Sequence, residues 1–374
     1  MIGGRGGPVR AIGLMSGTSC DGVDALLLEL AHVDERHEPR VLGHAYVPFP
    51  ATLRAELRDP AALTLRRVAE LHFELPRLYH DAVRELQQWQ SASVCGMHGQ
   101  TVWHAPPSQG STVANTLQLG SSGALAALLG MPVVGDMRGA DVARGGEGAP
   151  IAPFSHWFFT PPSHPTRLVV NIGGIANYTC VTRELDRVSA SDIGPGMMIS
   201  DALARHVSRG ALDCDRDGEL SEGGDVYQPA VDFILDHPFF ARPSPRSTGR
   251  EDFGAGFVAG LLLRFGELDG ATLLRSSLWA TATAIVTSAR EQDVDIGEIL
   301  LTGGGARHPG LREMVAELAD PIPVVVHDGG VFAPEHHEPA AMALIAARTL
   351  ARLPSSLPQV TGAREPAILG HVHY

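Results

Sequence analysis

The chain has 374 residues, of which 44% are hydrophobic and 19% are charged, a composition typical of a folded globular protein. Its net charge of −13 argues against nucleic-acid binding and against attachment to an anionic membrane surface, because both partners need a basic protein face. At this length, two domains are the natural expectation.

The cysteines point to a reducing compartment. Cys20, Cys95, Cys180 and Cys214 lie far apart in the sequence and form no CxxC pair, so we expect reduced thiols and neither a disulfide framework nor a zinc site. The opening segment "MIGGRGGPVR" lacks the apolar core of a signal peptide, and no apolar stretch is long enough to span a bilayer. We therefore expect a cytoplasmic protein.

The first half of the chain begins with strands, predicted at 11–15, at 25–30 and near Tyr46, and the first two are separated by the polar segment "SGTSCDGVD". A helix is predicted at 63–90, and "ASVCGMHGQTVWH" predicts a buried strand that runs into a polar loop. "SSGALAALLG" predicts a short helix closed by Gly130, and "MPVVGDMRGADVARGGEGAP" predicts a strand followed by a loop rich in glycine and aspartate.

A proline-rich segment, "TPPSHPT", predicts a junction, after which "RLVVNIGGIANYTCV" repeats the strand–turn–strand pattern. Helices are predicted at 198–209, 256–265 and 274–290, and "GEILLTGGGARHPGLREMVAEL" predicts a strand, a triple-glycine turn and a helix. A last helix at 339–353 could return to the first domain. Two similar halves, in which strands run into Gly-rich turns, predict an α/β protein with a central cleft.

Three Gly-rich turns could bind phosphate groups. Backbone N–H groups in tight turns bind anions, hydroxyls add donors, and carboxylates can hold Mg²⁺. "SGTSCDGVD" supplies all of these groups, whereas "NIGGIAN" and "TGGGARHPG" would bring mainly backbone to phosphates and to adenosine. For the last two, an ordinary turn remains the competing interpretation. No Walker sequence and no GxGxxG after a strand is present, which disfavours P-loop and Rossmann sites.

Two further motifs carry candidate polar residues. Asp192, in "SASDIGPGMMISDAL", ends a predicted strand at a Gly-Pro-Gly turn, where partial desolvation would make it basic enough to deprotonate water or a sugar hydroxyl. An Asx turn is the alternative. His98 and His104, in "HGQTVWH", suit one face of a strand; they could bind a polyhydroxylated ligand or be structural, and no third metal ligand is apparent.

Together these motifs resemble the anhydro-N-acetylmuramic acid kinase family. Seven motifs carry the resemblance, and they occur in the same order as in the family, from about Gly13 to Glu338: "GLMSGTSCDGVD", "HGQTVWHAP", "GDMRGADVARGGEGAP", "VVNIGGIAN", "SDIGPGM", "RSTGREDFG" and "LTGGGARHPGL". The resemblance implies a two-domain, actin-like (ribonuclease H-like) α/β ATPase fold of the hexokinase type, with ATP and sugar in a central cleft. It also implies ATP-dependent opening of 1,6-anhydro-N-acetylmuramic acid by water, giving N-acetylmuramic acid 6-phosphate and ADP, in bacterial recovery of cell-wall sugar.

The resemblance further implies domains and site residues. The first domain would comprise 1–140 with about 340–374, and the second 141–339. Asp192 would be the catalytic base, Asp21 would hold Mg²⁺ directly or through water, and the partners would be ATP and a small amino sugar, with a homodimer left open. The implied ATP-binding residues are Gly17, Thr18, Ser19, Cys20, Asp21, Gly22, Val23, Asp24, Gly173, Gly174, Gly303, Gly304 and Gly305. The implied sugar-binding residues are His98, Gln100, Thr101, Arg138 and Glu338.

The sequence departs from the family pattern at a few positions. Around the base the family usually reads DTGPGN, whereas Ile193 and Met197 stand here in place of Thr and Asn. Cys20 replaces the usual Leu, Glu147 the usual Gln, and Pro339 the usual Ala. We expect activity to survive the changes at Ile193 and Met197, because backbone N–H groups at 194–196 can still orient the turn. Two alternatives stay open: an actin-fold kinase for another amino sugar, and a catalytically impaired, nucleotide-gated binding protein.

Overall fold

A computed structural model describes residues 7–17, 19–110 and 112–374. These residues divide into two compact units, which we call unit 1 and unit 2. Unit 1 comprises the chain up to Pro162 together with Gly329–Tyr374, and unit 2 comprises Ser163–Asp328. Within the described ranges, no helix combines the length and the apolar character needed to cross a membrane.

Strands and helices follow one another along both units. The strands are β1 (Val9–Met15), β2 (Gly22–Leu30), β3 (Arg40–Pro48), β4 (Val94–Met97), β5 (Gln100–Ala105), β6 (Asn115–Leu119), β7 (Val133–Gly135), β8 (Arg167–Ile172), β9 (Ile175–Val181), β10 (Ser189–Pro195), β11 (Glu298–Thr302), β12 (Val324–Val326) and β13 (His371–His373). The α-helices are α1 (Ala51–Arg58), α2 (Leu65–Glu85), α3 (Ser122–Leu129), α4 (Gly139–Ala143), α5 (Ala152–Phe159), α6 (Met198–Val207), α7 (Gln228–Leu235), α8 (Arg250–Phe253), α9 (Ala255–Phe265), α10 (Gly270–Arg290), α11 (Pro309–Ala319), α12 (His337–Leu350) and α13 (Pro358–Thr361).

The sheet of unit 1 has the strand order β13-β7-β4-β1-β2-β3. Strands β1, β2 and β3 form an antiparallel meander, and β4 and β7 continue the sheet parallel to β1. The sequence of β2, "GVDALLLEL", is apolar at most positions because helices cover both faces of the sheet. An apolar core with α2 and α3 lies on one face, and α12 packs on the other.

Helix α12 lies unusually close to the sheet. A Cβ atom on Gly13 would overlap the carbonyl oxygen of Pro339, and one on Gly96 would overlap that of Met342. The alanine-rich helix and these glycines therefore allow backbone to approach backbone. The contact places the first turn of α12 beside the carboxyl end of β1.

The sheet of unit 2 repeats this arrangement, with the order β10-β9-β8-β11-β12. Strands β8, β9 and β10 form an antiparallel meander, and β11 and β12 run parallel to β8. The same order and directions occur in β3-β2-β1-β4-β7 of unit 1. A sheet of this order, repeated in two α/β units, is the arrangement of the actin-like, ribonuclease H-like fold. The expected fold class is therefore confirmed.

Unit 2 also contains a helical layer with its own apolar core. Helices α6, α7 and α9 form this core with the first part of α10, whereas the later part of α10 packs on the sheet. Helix α10 is therefore buried on most sides and joins the two cores.

The compact units differ from the domain limits predicted from the sequence, which assigned 141–339 to one domain. Residues 141–162 and 329–339 belong to unit 1. One reason is that the buried Asp141 accepts a hydrogen bond from Thr361 Oγ1 at 2.8 Å. Another is that α5 packs on α12.

Some element boundaries also differ from the predictions, and side-chain caps explain two of them. The helix predicted at 63–90 begins at Leu65 because the Thr64 hydroxyl caps it, and the helix predicted from 274 begins at Gly270 because Asp269 caps it. The polar loop predicted after β4 is instead a strand, β5, paired with β6. Gly99, with φ of +78°, turns the chain between β4 and β5, so His98 and His104 do not share one strand.

Candidate functional site

The predicted site residues of unit 1 lie at one edge of its sheet. Strands β1, β4 and β7 run parallel and end there, which is where α/β sheets commonly carry their functional loops. Loop 16–21 follows β1, His98 follows β4, and Arg138 follows β7. Glu338 lies in the first turn of α12, beside the same end of β1.

Loop 16–21 is held from the protein side by Gln100. This side chain is fully buried; its Nε2 donates to the carbonyl oxygen of Gly17 at 3.1 Å and to Sγ of Cys20 at 3.4 Å. Its Oε1 accepts a hydrogen bond from Ser16 Oγ at 2.5 Å, and that hydroxyl lies 3.5 Å from the hydroxyl of Tyr79. Gln100, expected to bind sugar, therefore has its amide engaged in positioning the loop.

The outer side of the loop carries polar groups. Ser19 Oγ donates to Asp21 Oδ1 at 2.6 Å, and both residues are exposed. Thr18 lies outside the described residues. Cys20 is buried with φ of +56°, and its thiol donates to the carbonyl oxygen of Leu57 at 3.5 Å. The Ser19 hydroxyl is thus a candidate donor to phosphate, and the Asp21 carboxylate is a candidate ligand for a cation.

The last residues of the predicted ATP-binding segment belong to β2. Gly22 pairs with Pro48 of β3, and Val23 is buried in the apolar core. The carboxylate of Asp24 lies 2.8 Å from His44 Nε2. These three residues are therefore engaged within the sheet, which leaves Gly17 and 19–21 as the described part of the predicted ATP-binding segment outside the strands.

His98 orients Arg138. The Nδ1 of His98 lies 2.7 Å from the carbonyl oxygen of Gly99 and carries the proton, so Nε2 accepts the hydrogen bond that Arg138 Nε donates at 3.0 Å. Burial, aided by the charge of Arg138, lowers the pKa of His98 to about 3, so the ring is neutral at pH 7. Arg138 also donates to the carbonyl oxygen of Gly148 at 2.6 Å, and the charge of Glu338 acts on its guanidinium. Both ring nitrogens of His98 are used in this way, so we expect His98 to position Arg138 and not to contact a ligand itself.

We expect His98 to make folding stability depend on pH. The unfolded chain protonates this ring near pH 6.5, whereas the folded chain resists protonation down to about pH 3, so stability is lost as the pH falls below 6.5. Urea unfolding at pH 7.5 and at pH 5 measures how much unfolding free energy is lost between the two pH values. This loss should be about 1–2 kcal/mol larger for the wild type than for His98→Gln. His206→Gln, at an exposed position of α6, is the matched control and should behave like the wild type. Equal pH dependence in His98→Gln and the wild type would contradict this account.

Thr101 lies at the start of β5, next to Gln100. Its hydroxyl accepts a hydrogen bond from Gln118 Nε2 at 3.3 Å, across the β5–β6 pair. The side chain is half-buried, so part of it is open to solvent. Thr101 therefore lies in the two-stranded sheet β5–β6, and its hydroxyl already has a protein partner.

The predicted site residues of unit 2 likewise lie at one edge of its sheet. Thr302 pairs with Asn171, Asn171 pairs with Asn177, and Asn177 pairs with Asp192, so a single row crosses four strands. The glycine turn 173–174 and the triple-glycine turn 303–305 both leave the sheet from this row. The strand pairing thus places the two turns and Asp192 at the same edge of the sheet.

The glycines of this edge permit close backbone packing. Gly303 has φ of +78°, and Cβ atoms on Gly303 and Gly305 would overlap the end of β8. The carbonyl oxygens of Gly173 and Gly174 accept hydrogen bonds from the backbone N–H groups of 196–198, which fixes the start of α6. Gly304 has no heavy atom within 4 Å of a hypothetical Cβ, so this position leaves room for a ligand to approach the backbone.

Asp192 is a largely buried carboxylate with a defined orientation. Its Oδ2 accepts a hydrogen bond from the backbone N–H of Thr248 at 2.9 Å, and its own N–H donates to the carbonyl oxygen of Arg246 at 3.0 Å. Burial raises its pKa to about 6; the Thr248 hydrogen bond opposes this rise, the charge of Glu251 adds to it, and Arg246 lowers it. At pH 7 the carboxylate is therefore ionised yet more basic than usual, which suits a general base.

The sequence interpretation assigned no role to the segment that contacts Asp192. Arg246, Thr248 and Glu251 lie in "RSTGREDFG", which served only as a mark of resemblance. The motif thus marked this segment as part of the family pattern. Its contact with Asp192, however, is a hydrogen bond from a backbone N–H that any residue except proline would supply. Side-chain type alone could not reveal it.

Comparison with known proteins identifies the family. A family model described as "Anhydro-N-acetylmuramic acid kinase" matches residues 9–374. Proteins of that name from Bacillus cereus strains AH187 and Q1 are each 32% identical over 377 aligned residues, covering 97% of this chain and 98% of each relative. The chain belongs to the anhydro-N-acetylmuramic acid kinase family. The resemblance drawn from the seven motifs is thereby confirmed, and the protein is an enzyme of the kinase class.

Solved structures with more distant sequences also align with this kinase. The activator of the 2-hydroxyisocaproyl-CoA dehydratase from Clostridium difficile, with bound ADPNP, is 12% identical, covering 92% of this chain and 96% of its own, with a TM-score of 0.47. The ROK hexokinase from Thermus thermophilus is 15% identical, covering 92% and 100%, with a TM-score of 0.38. At these scores the fold assignment rests on the sheet order of the two units.

The two departures from the family pattern beside Asp192 lie in the core of this kinase. Ile193 is 1% exposed and Met197 is 9% exposed, and both belong to the apolar cluster under the unit 2 sheet. Side chains at these positions point into the protein. The family's Thr and Asn would therefore place polar groups among apolar side chains here.

Restoring the family residues should not improve this enzyme. We expect Ile193→Thr with Met197→Asn to leave kcat/KM on the anhydro sugar within about tenfold, and to lower the free energy of unfolding by about 2–4 kcal/mol, because apolar contacts are lost and polar groups are buried. Steady-state kinetics and urea unfolding measure both quantities. Ile368→Thr, at a position that is 40% exposed, should cost much less stability. A hundredfold rise in kcat/KM would contradict this interpretation.

The predicted Mg²⁺ position has few protein ligands. Among residues 7–17, 19–110 and 112–374, no three His, Cys, Asp or Glu side chains come together as metal ligands. Asp21 offers one exposed carboxylate with the Ser19 hydroxyl beside it. This donor set fits Mg²⁺, which commonly keeps water and phosphate oxygens as most of its ligands.

Proposed function

We propose that this enzyme uses water to open the anhydro ring of 1,6-anhydro-N-acetylmuramic acid and transfers the γ-phosphoryl group of ATP to O6. The products would be N-acetylmuramic acid 6-phosphate and ADP, in the recovery of cell-wall sugar. The observation that carries the proposal is Asp192, an oriented and unusually basic carboxylate at the same sheet edge as two glycine turns. Family membership supplies the substrate class.

The proposed reaction balances around one proton acceptor. Asp192 takes a proton from water as the water oxygen bonds to C1 of the sugar. The C1–O6 bond breaks and its electron pair stays on O6. O6 then bonds to the γ-phosphorus as the bond to the leaving ADP breaks. Because phosphoryl transfer depends mainly on alignment and charge stabilisation, the binding groups matter as much as the base.

The ATP-binding glycine turns that the resemblance implies are kept here as a proposal for each unit separately. In unit 1, Gly17, Thr18 and Ser19 would contact the phosphates, and the Asp21 carboxylate would act on them through Mg²⁺. In unit 2, the turns 173–174 and 303–305 would offer backbone to the nucleotide. Mg²⁺, held through Asp21 directly or through water, would neutralise phosphate charge when bound.

The proposed sugar contacts come from unit 1. Arg138 is held rigidly by His98 and Gly148, and its remaining donors suit the carboxylate that muramic acid carries. Glu338 would accept hydrogen bonds from sugar hydroxyls, and the Thr101 hydroxyl would accept or donate one. His98 and Gln100 would act through Arg138 and loop 16–21.

An ATP-consumption screen tests the substrate assignment. Formation of ADP is measured with 1,6-anhydro-N-acetylmuramic acid, N-acetylmuramic acid and N-acetylglucosamine at equal concentrations. We expect turnover with the anhydro sugar and at least a hundredfold lower kcat/KM with the others, because those sugars have no anhydro bond to open. Preference for an ordinary amino sugar would instead support an actin-fold kinase with another substrate, and no turnover with any sugar would support a binding protein.

A further inference from the structure

The segment 242–252 of unit 2 lies along β10 and reaches Asp192. Asp192 N–H donates to the Arg246 carbonyl oxygen at 3.0 Å, and Arg246 N–H donates to Ser191 Oγ at 2.9 Å. The guanidinium of Arg246 lies 4.7 Å from the centre of the Phe239 ring. These contacts fix the segment just before the point where Thr248 N–H meets Asp192 Oδ2.

The side chain of Thr248 is held separately. Its Oγ1 donates to Asp252 Oδ2 at 2.8 Å. Arg242 donates to both oxygens of that carboxylate, at 3.1 Å each, from Nη1 and Nη2. Because Asp252 is held by two donors of one guanidinium, its carboxylate gives Thr248 a fixed anchor. The backbone N–H and the side-chain hydroxyl of Thr248 are thus both constrained.

We propose that Thr248 and Asp252 are positioning residues for the base Asp192. The anchored Thr248 presents its N–H to Oδ2 and so sets the rotation of the carboxylate. Oδ1, which accepts no hydrogen bond from the part of the chain that the structure describes, is left to receive the proton from water. This inference rests on the proposed function, because it assumes that Asp192 is the base.

Electrostatics give the inference a measurable consequence. The charged groups that act on Asp192 are Glu251, which raises its pKa, and Arg246, which lowers it. The Thr248 hydrogen bond stabilises the ionised carboxylate and opposes the effect of burial. A variant that loosens Thr248 should therefore leave a base that protonates at higher pH, so that activity on the acid side falls earlier.

The test compares Thr248→Val and Asp252→Ala with the wild type over pH 5–9, with the anhydro sugar and ATP as substrates. We expect kcat to fall about 10- to 100-fold in both variants, KM for ATP to stay within about twofold, and the acid limb of kcat/KM to move to higher pH. Thr248→Ser keeps the hydroxyl and should restore both the rate and the pH profile. Thr283→Val removes a hydroxyl that bonds only within α10 and should match the wild type.

The outcomes separate this inference from the proposed function. A wild-type enzyme that does not turn over the anhydro sugar would overturn the proposed function before any variant is made. With an active wild type, rates within twofold for both variants would overturn the positioning role. A lower rate with an unchanged pH profile would also overturn it, because a purely structural defect would have that effect. If Thr248→Val folds poorly by circular dichroism, Asp252→Ala and the Thr248→Ser rescue decide the question.

Discussion

Asp192→Asn should lower kcat on the anhydro sugar by about three or more powers of ten while ATP and sugar still bind. The amide keeps the size of the side chain and can still accept the Thr248 hydrogen bond, but it cannot take a proton from water. In the wild type, turnover should fall as the pH drops through about 6, because burial raises the pKa of Asp192 to about that value and only the ionised form is a base. Steady-state kinetics and ligand titration calorimetry measure the two effects.

Asp201→Asn is the matched control. Asp201 lies in the first turn of α6, and burial raises its pKa to about 6 as well. It lies outside the row that joins Thr302, Asn171, Asn177 and Asp192, so turnover should stay within about tenfold of the wild type. A folded Asp192→Asn variant with near-normal turnover would contradict the assignment, and so would an Asp201→Asn variant that loses activity instead.

Gly13→Ala should be among the most destabilising single substitutions in unit 1, at a cost of about 3 kcal/mol or more. A Cβ atom there would overlap the Pro339 carbonyl oxygen and lie 2.7 Å from the Ala343 backbone nitrogen, so helix α12 would have to move off the sheet. Because Glu338 precedes Pro339, KM for the sugar should rise together with the loss of stability.

Gly43→Ala provides the comparison for this effect. Gly43 is also a strand residue, but its Cβ would meet only Leu86 Cδ2 at an ordinary 3.7 Å. Urea unfolding should show a change of about 0.5 kcal/mol or less for this variant. Equal stability of the two variants would mean that α12 does not pack on β1 as described.

Much of the framework follows from local sequence patterns. The apolar runs of β1 and β8 each end at glycines and polar residues, a pattern typical of a strand followed by a turn. The order of the motifs then led to the actin-like fold. Helix starts were missed at Leu65 and Gly270 because a single capping side chain, Thr64 or Asp269, decides them.

The site was harder to predict because its contacts are between residues far apart in the chain. Gln100 and His98 have the polarity of sugar ligands, and only the fold shows that their polar atoms contact loop 16–21 and Arg138. Ile193 lies between Asp192 and Gly194 in β10, "SASDIGP", which lacks a regular alternation of apolar and polar residues, so its sequence context does not reveal that its side chain lies in the core. Local patterns identify which loops matter, whereas the partner of each side chain depends on tertiary structure.

The central claim is that water opens the sugar ring during phosphorylation, and an isotope experiment tests it most directly. The reaction is run in ¹⁸O-water, and the 6-phosphate product is trapped before its anomeric oxygen exchanges with solvent, with unlabelled product in the same water as the exchange control. Our account predicts one ¹⁸O atom on the anomeric carbon and none in the phosphate group. Product without label at the anomeric carbon would contradict the account, because O6 would then have been phosphorylated without attack by water.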